Sequence, residues 1–142
     1  MTAKPAKIIK PIWPAAPQVV AGVSCRMSGY SQAPFGQLNL AQHVGDDIDH
    51  VIKNRMHLAS ANQSAKWQWL EQTHSTTIAE LDNIQNEPLA ADASFTKKTN
   101  LVCTVMTADC LPILLCDAQG TRVAAIHVGW RGLANGIIAN SV

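Results

Sequence analysis

The chain has 142 residues, of which 47% are hydrophobic and 15% charged, and a formal net charge of +1. That is enough apolar material for one domain with a buried core, and it argues against a disordered segment. The near-neutral charge, without a basic block, removes the electrostatic footprint of a nucleic-acid binder, and no apolar run reaches transmembrane length.

The first twenty residues are proline-rich (Pro5, Pro11, Pro14, Pro17). They read as an extended leader over 1–12 with one short strand near Val19–Val23, and Trp13 packs it down. The N-terminus lacks a signal-peptide apolar stretch, so a cytoplasmic protein with reduced cysteines is expected. Residues 25–47 are rich in Gly, Ser, Pro and Asn and predict a long polar loop. Such a loop in a compact domain is often functional, and Arg26, Asn39 and His43 are its binding candidates. Equally, Asn39 and His43 can satisfy backbone groups of the loop itself. From Asp47, a good N-cap, a helix is predicted to 61 with Ile48, Val51, Ile52 and Leu58 on its apolar face. His50, Lys53, Asn54 and His57 fall off that face.

Trp67, Trp69 and Glu71 then alternate with Gln68, Leu70 and Gln72, as the two faces of a strand do. The tryptophans share one face, which core packing explains, and His74 stands where the strand runs out. Ile78–Leu81 is a short segment with apolar ends, 82–88 a polar turn, and Asp92 sits in a run of small residues, placed to cap a turn or to orient a histidine. Residues 101–107 predict a buried, β-branched strand ending at Asp109-Cys110. Pro112 argues against a continuous central ladder through that point, so a bend is expected there. Residues 113–116 and 122–128 are two further strands joined by the turn Asp117-Ala-Gln-Gly120. The tight turn Gly129-Trp-Arg-Gly132 follows, and Leu133, Ile137 and Ile138 open an amphipathic helix. No internal repeat or linker divides the chain, so a single domain over 1–142 is expected.

The chemistry-bearing residues lie at the ends of these strands. Four cysteines occur (Cys25, Cys103, Cys110, Cys116), without a CxxC pair, which excludes a zinc ribbon built on such pairs. Cys103 and Cys116 lie within apolar runs and read as small core residues. His74, Cys110 and His127 each follow or end a strand, so strand pairing can bring them together. Two imidazoles and a thiolate leave the fourth position of a zinc ion open, the arrangement of a catalytic site. The competing chemistry makes Cys110 a nucleophile, activated by His127 or His74, with Asp109 or Asp92 as orienter. Arg131, in a Gly-bounded turn entering a helix, suits a phosphate or carboxylate, or is simply a surface arginine. A cysteine–histidine site beside an anion pocket points to a phosphorylated substrate or to phosphate as co-substrate.

Several motifs resemble one known family. Thr107-Ala-Asp-Cys-Leu-Pro-Ile-Leu-Leu and His127-Val-Gly-Trp-Arg-Gly-Leu are similar to the paired signatures of the laccase-domain family, whose members are described as purine nucleoside phosphorylases and, earlier, as multicopper polyphenol oxidoreductases. Trp69-Leu-Glu-Gln-Thr-His74-Ser resembles its histidine motif. Leu38-Asn39-Leu40 through His43-Val-Gly-Asp-Asp47, then Asn54-Arg55, resembles its N-terminal loop and helix, and Ala91-Asp92-Ala93 also fits. The resemblance implies an α+β fold of the cysteine-hydrolase-like kind, a mixed β-sheet with helices outside. It implies His74, Cys110 and His127 as a catalytic zinc trio, and Arg26, Asn39, His43 and Arg131 near the substrate pocket; Asp92 and Asp109 are expected behind the trio. It further implies phosphorolysis of adenosine, inosine and S-methyl-5′-thioadenosine, and deamination of adenosine; from charge and hydropathy no nucleic-acid or membrane partner is expected, and a homodimer is admitted. Ser28 stands where a second glycine is usual before Gly29, and Thr73 and Val128 replace the usual Val and Ala. Because the chain stops at Val142, a fold incomplete at the C-terminus is expected. The competing readings are a copper polyphenol oxidase, an inactive fragment and a thiol hydrolase.

Overall fold

The computed structural model describes residues 4–142, which form two compact units. The first takes the chain up to Trp13 together with Ala21–Gln63, and the second takes Pro14–Val20 with Ser64–Val142.

In the first unit, β1 (Ile8–Ile9) pairs antiparallel with β2 (Val23–Ser24). The leader therefore carries a strand of its own, and the strand expected at 19–23 begins only at Val23. Helix α1 (Ile48–Ala59) starts where its cap predicts, with the Asp47 carboxylate accepting the Asp49 N–H at 2.9 Å. Its buried face is Val51, Asn54 and Leu58, at i, i+3 and i+7, whereas Ile48 and Ile52 are exposed. Placing Asn54 off the buried face was therefore wrong, for a physical reason. Its Oδ1 accepts the Tyr30 N–H at 2.7 Å, and its Nδ2 donates to Ser31 Oγ at 2.9 Å and to the Asn39 carbonyl at 2.8 Å. A long loop has backbone groups to satisfy, and a buried amide satisfies them. Arg55 donates to the Leu40 carbonyl at 2.8 Å, and burial pulls its pKa down to about 10. Ser28 has φ 69, a left-handed backbone that explains why a glycine suits that position.

The second unit is built on a four-stranded mixed sheet. Its order is β5 (Ile78–Glu80), β7 (Ala93–Thr96), β10 (Val123–Val128), β9 (Leu111–Cys116). β5 runs parallel to β7, and the other two pairings are antiparallel. Two short parallel pairs complete the strands: β3 (Lys66–Gln68) with β8 (Leu101–Cys103), and β4 (Leu70–Glu71) with β6 (Leu89–Ala90). The core gathers Ala93, Ile126, Val128 and Ile137, with Ile78, Ile113, Leu115 and Ile138 packed on it. The architecture is α+β, with mixed sheets and few helices, as the resemblance implies.

Three expectations change. The strand over 101–107 stops at Cys103, because hydrogen bonds between side chains and backbone replace the ladder beyond it. Thr104 Oγ1 donates to the Gln68 carbonyl, while Gln72 donates to the Met106 carbonyl at 2.8 Å and accepts its N–H at 2.7 Å. Pro112 does not break the ladder: β9 pairs through it, with Pro112 opposite His127. β9 is an edge strand, where a missing N–H is tolerated. The amphipathic helix is two short ones, α2 (Trp130–Ala134) and α3 (Ile137–Ser141), separated at Gly136 with φ 91. In β3, it is Gln68 that is buried, while Trp67 and Trp69 stack half-buried with ring centroids 6.4 Å apart.

Candidate metal centre

One end of the four-stranded sheet collects the chemistry, and register explains how. β10 ends at Val128, opposite Leu111 at the start of β9, so Cys110 lies beside the end of β10. β7 begins at Ala93, opposite Ile126, which sets Asp92 against His127; the His127 N–H donates to the Asp92 carbonyl at 2.7 Å. Parallel pairing of β5 places Ile78 beside Ala93, and the Asp92 N–H donates to the Thr77 carbonyl at 3.0 Å. The loop carrying His74 thus reaches the same end.

There, one ligand atom each from His74, Cys110 and His127 lies within 4.8 Å of the other two. Cys110 Sγ is 3.8 Å from His74 Nε2, and the two imidazoles meet edge-on with centroids 4.9 Å apart. Donors bound at about 2.0–2.3 Å around a common ion stand roughly 3.3–3.6 Å from one another. The observed spacing therefore fits a metal after a contraction of about 1 Å at the widest pair. The donor set, two borderline nitrogens and one soft sulfur, suits zinc or copper better than magnesium or calcium.

Asp92 stands behind the trio, fully buried. Its Oδ2 lies 2.7 Å from His127 Nδ1 and accepts the His74 N–H at 3.0 Å. Its Oδ1 accepts the Thr73 N–H at 3.0 Å, the Ser75 N–H at 2.7 Å and the Ser75 hydroxyl at 2.8 Å. Burial alone would raise its pKa, but these donors outweigh it and hold the carboxyl below its usual range. His74 has φ 60, so the Thr73–Ser75 backbone forms a nest of N–H groups around the carboxylate.

The Cys110 thiol is pushed up, first by its partial burial and then by the Asp109 carboxylate beside it and the charge of Asp92. These carboxylates oppose a bare thiolate and favour a cation at the same place. Asp109 is exposed, its Oδ1 3.8 Å from Cys110 Sγ. Gly129 touches the site too: a Cβ there would lie 2.5 Å from His74 Cδ2 and 3.2 Å from Cys110 Sγ. In the sequence Gly129 reads only as the first residue of a tight turn; a glycine directly after the end of β10, two residues beyond His127, is the available signal. Gln72, which ties the His74 loop to Met106, was likewise given only a place in a strand.

Arg131 is exposed on α2 and lies over the Trp130 ring, 4.8 Å from its centroid. The residues read as a turn ahead of a helix belong to the five-residue α2 itself, with Gly129 as its N-cap. In the first unit, Arg26 is exposed and packs over Gly36, and His43 is exposed on the loop. Asn39 is committed locally: its Nδ2 donates to the Ala41 carbonyl at 3.1 Å and to Asp46 at 2.9 Å, and its Oδ1 accepts the Ala41 N–H at 3.0 Å. Cys103 behaves as a core thiol, its pKa pushed by burial to about 11, and its Sγ is 3.8 Å from the Val123 carbonyl.

Residues 20–142 match the profile of the family described as multi-copper polyphenol oxidoreductase laccase. The chain belongs to this family. Among its laccase-family relatives, the chain is 48% identical to purine nucleoside phosphorylase PA4543 of Pseudomonas aeruginosa, over 94% of this chain and 54% of that protein. It is 45% identical to purine nucleoside phosphorylase YfiH of Escherichia coli K12, over 96% of this chain and 56% of that protein. A solved structure, Neisseria meningitidis protein NMB0706, superposes with a TM-score of 0.90 at 40% identity, over 94% of this chain and 55% of that one. The chain thus spans about half the length of the curated relatives it matches. No helix among the described residues is long and apolar enough to cross a membrane.

Proposed function

We propose that the chain carries the zinc site of a purine nucleoside phosphorylase acting on adenosine, inosine and S-methyl-5′-thioadenosine, with hydrolytic deamination of adenosine at the same site. The observation that carries this reading is the convergence of His74, Cys110 and His127 ligand atoms within 4.8 Å, backed by a buried carboxylate on the His127 ring. The name borne by the relatives supports it. His74 Nε2, Cys110 Sγ and His127 Nε2 would hold the ion, which when bound supplies a Lewis acid and an open coordination position.

The chain's own groups do the rest. Asp92 orients the His127 ring and holds the backbone that carries His74, and Asp109 adds negative charge beside the sulfur, which favours a cation. Arg131 presents a guanidinium suited to two phosphate oxygens. In phosphorolysis a phosphate oxygen bonds to the sugar C1′ as the bond from C1′ to the purine nitrogen breaks. The electron pair of that bond leaves with the purine, which takes up a proton. Deamination instead adds water at the purine's amino-bearing carbon and releases ammonia. Arg26 and His43 are assigned to substrate binding on their chemistry and exposure, and Asn39 to holding the loop that carries His43.

A copper polyphenol oxidase, as the family description has it, is the weaker reading. A multicopper cluster needs many imidazoles, whereas the chain has five histidines and one group of three metal-type ligands among the described residues. A thiol hydrolase is disfavoured by the upward shift of the Cys110 thiol.

The test is release of purine base from the three nucleosides with and without phosphate, with metal content determined on the same sample. Phosphate-dependent release with about one zinc per chain is the expected result. Equal release without phosphate, or full turnover by metal-free protein, contradicts it.

A further inference from the structure

We propose that Asp92 is a positioning residue for both histidines of the site: it dictates which nitrogen of His127 carries the proton, and it clamps the backbone that presents His74. This rests on the metal-site reading above and adds to it how the two histidines are prepared before any ion arrives.

Four donors converge on the two oxygens of Asp92, which is fully buried and also faces the His127 ring. Oδ1 takes Thr73 N, Ser75 N and Ser75 Oγ, and Oδ2 takes His74 N and faces His127 Nδ1 at 2.7 Å. An ionised carboxylate offers acceptors only, so neutral His127 must be protonated at Nδ1. Its lone pair then sits at Nε2, the nitrogen left free to bind an ion. The same Oδ2 holds the N–H of His74, whose φ of 60 is unusual for a residue other than glycine. Because the Thr73, His74 and Ser75 N–H groups all point at one carboxylate, the left-handed turn of His74 and the tautomer of His127 share one cause.

Asp92→Asn separates this role from simple packing, because it keeps the shape and removes one acceptor. The amide oxygen can serve Thr73 and Ser75, which leaves the NH2 facing His74 N–H and His127 Nδ1. His127 then accepts at Nδ1 and moves its proton to Nε2, where it competes directly with the metal. A role confined to packing would leave the tautomer unchanged.

Nitrogen-15 NMR of metal-free protein in mildly alkaline buffer reads the tautomer, and zinc titration against a competing chelator reads affinity. Expected are the Nδ1–H form of His127 in the parent, the Nε2–H form in Asp92→Asn, and a drop in zinc affinity of about 10–100-fold with the thermal transition retained. The Nε2–H form in the unmutated protein overturns the proposal, and that measurement needs no variant to fold. Parent-like zinc affinity in Asp92→Asn overturns it as well. If the parent takes up no zinc, the metal-site reading fails, and the parent's tautomer alone then decides the role of Asp92.

Discussion

Cys110→Ala is expected to abolish stoichiometric zinc binding and to lower phosphate-dependent base release by more than about 100-fold. The lower bound follows because losing an outer-shell partner costs 10–100-fold, and losing a ligand atom costs more. Sγ is the soft donor of the three and lies 3.8 Å from His74 Nε2. Without it, two imidazoles remain, too few to hold zinc tightly at a site that keeps an open position. The fold should survive, because Cys110 precedes β9 and is not among the core residues. Cys103→Ala is the contrasting case. That thiol is half-buried, its Sγ 3.8 Å from the Val123 carbonyl, so its loss should cost some stability and leave zinc binding unchanged. Metal analysis after gel filtration, with the base-release assay, checks both. A Cys110→Ala protein that keeps one zinc and full turnover would place the chemistry elsewhere.

Gly129→Ala is expected to lower zinc affinity at least about 10-fold by crowding alone, an effect of the size seen when a ligand's support is disturbed. Its φ of −82° and ψ of 164° are open to any residue, so backbone strain plays no part. The new Cβ would lie 2.5 Å from His74 Cδ2, 3.1 Å from His74 Nε2 and 3.2 Å from Cys110 Sγ. His74 has little room to yield, since Asp92 holds the N–H groups on both sides of it and its ring packs edge-on against His127. Overpacking of this kind commonly costs about 1–3 kcal/mol in stability. Gly132→Ala is the control: its nearest neighbours, Ile137 Cγ2 and the Ser75 carbonyl, stand at an ordinary 3.4 Å. Zinc titration of the two variants separates them, and equal affinities would show that the Gly129 contact does not shape the site.

Features whose cause is local were legible in the sequence. Asp47 followed by apolar residues at helical spacing gave α1 its start, and the turn Asp117–Gly120 gave the β9–β10 hairpin. His74, Cys110 and His127 stood out because each lies where an apolar run ends. What gathers their ligand atoms is register: Asp92 opposite His127, and Leu111 opposite Val128. Register is a long-range property, and one chain's periodicity does not encode it directly. The misreadings share that origin. Asn54 is polar by composition yet buried, because a loop 15 to 24 residues earlier needs its amide. The strand at 101–107 ended early, because Gln72 supplies side-chain partners that no propensity scale anticipates. At Pro112 a bend was expected in place of a central ladder, whereas β9 is an edge strand and its pairing runs through the proline, which only the sheet order reveals.

Zinc-edge X-ray absorption on the purified chain tests the central claim most directly. One sulfur and two imidazole nitrogens around the metal, with the sulfur signal lost in Cys110→Ala, is the predicted result. A shell of nitrogen and oxygen alone, unchanged by that substitution, would contradict a site built from His74, Cys110 and His127.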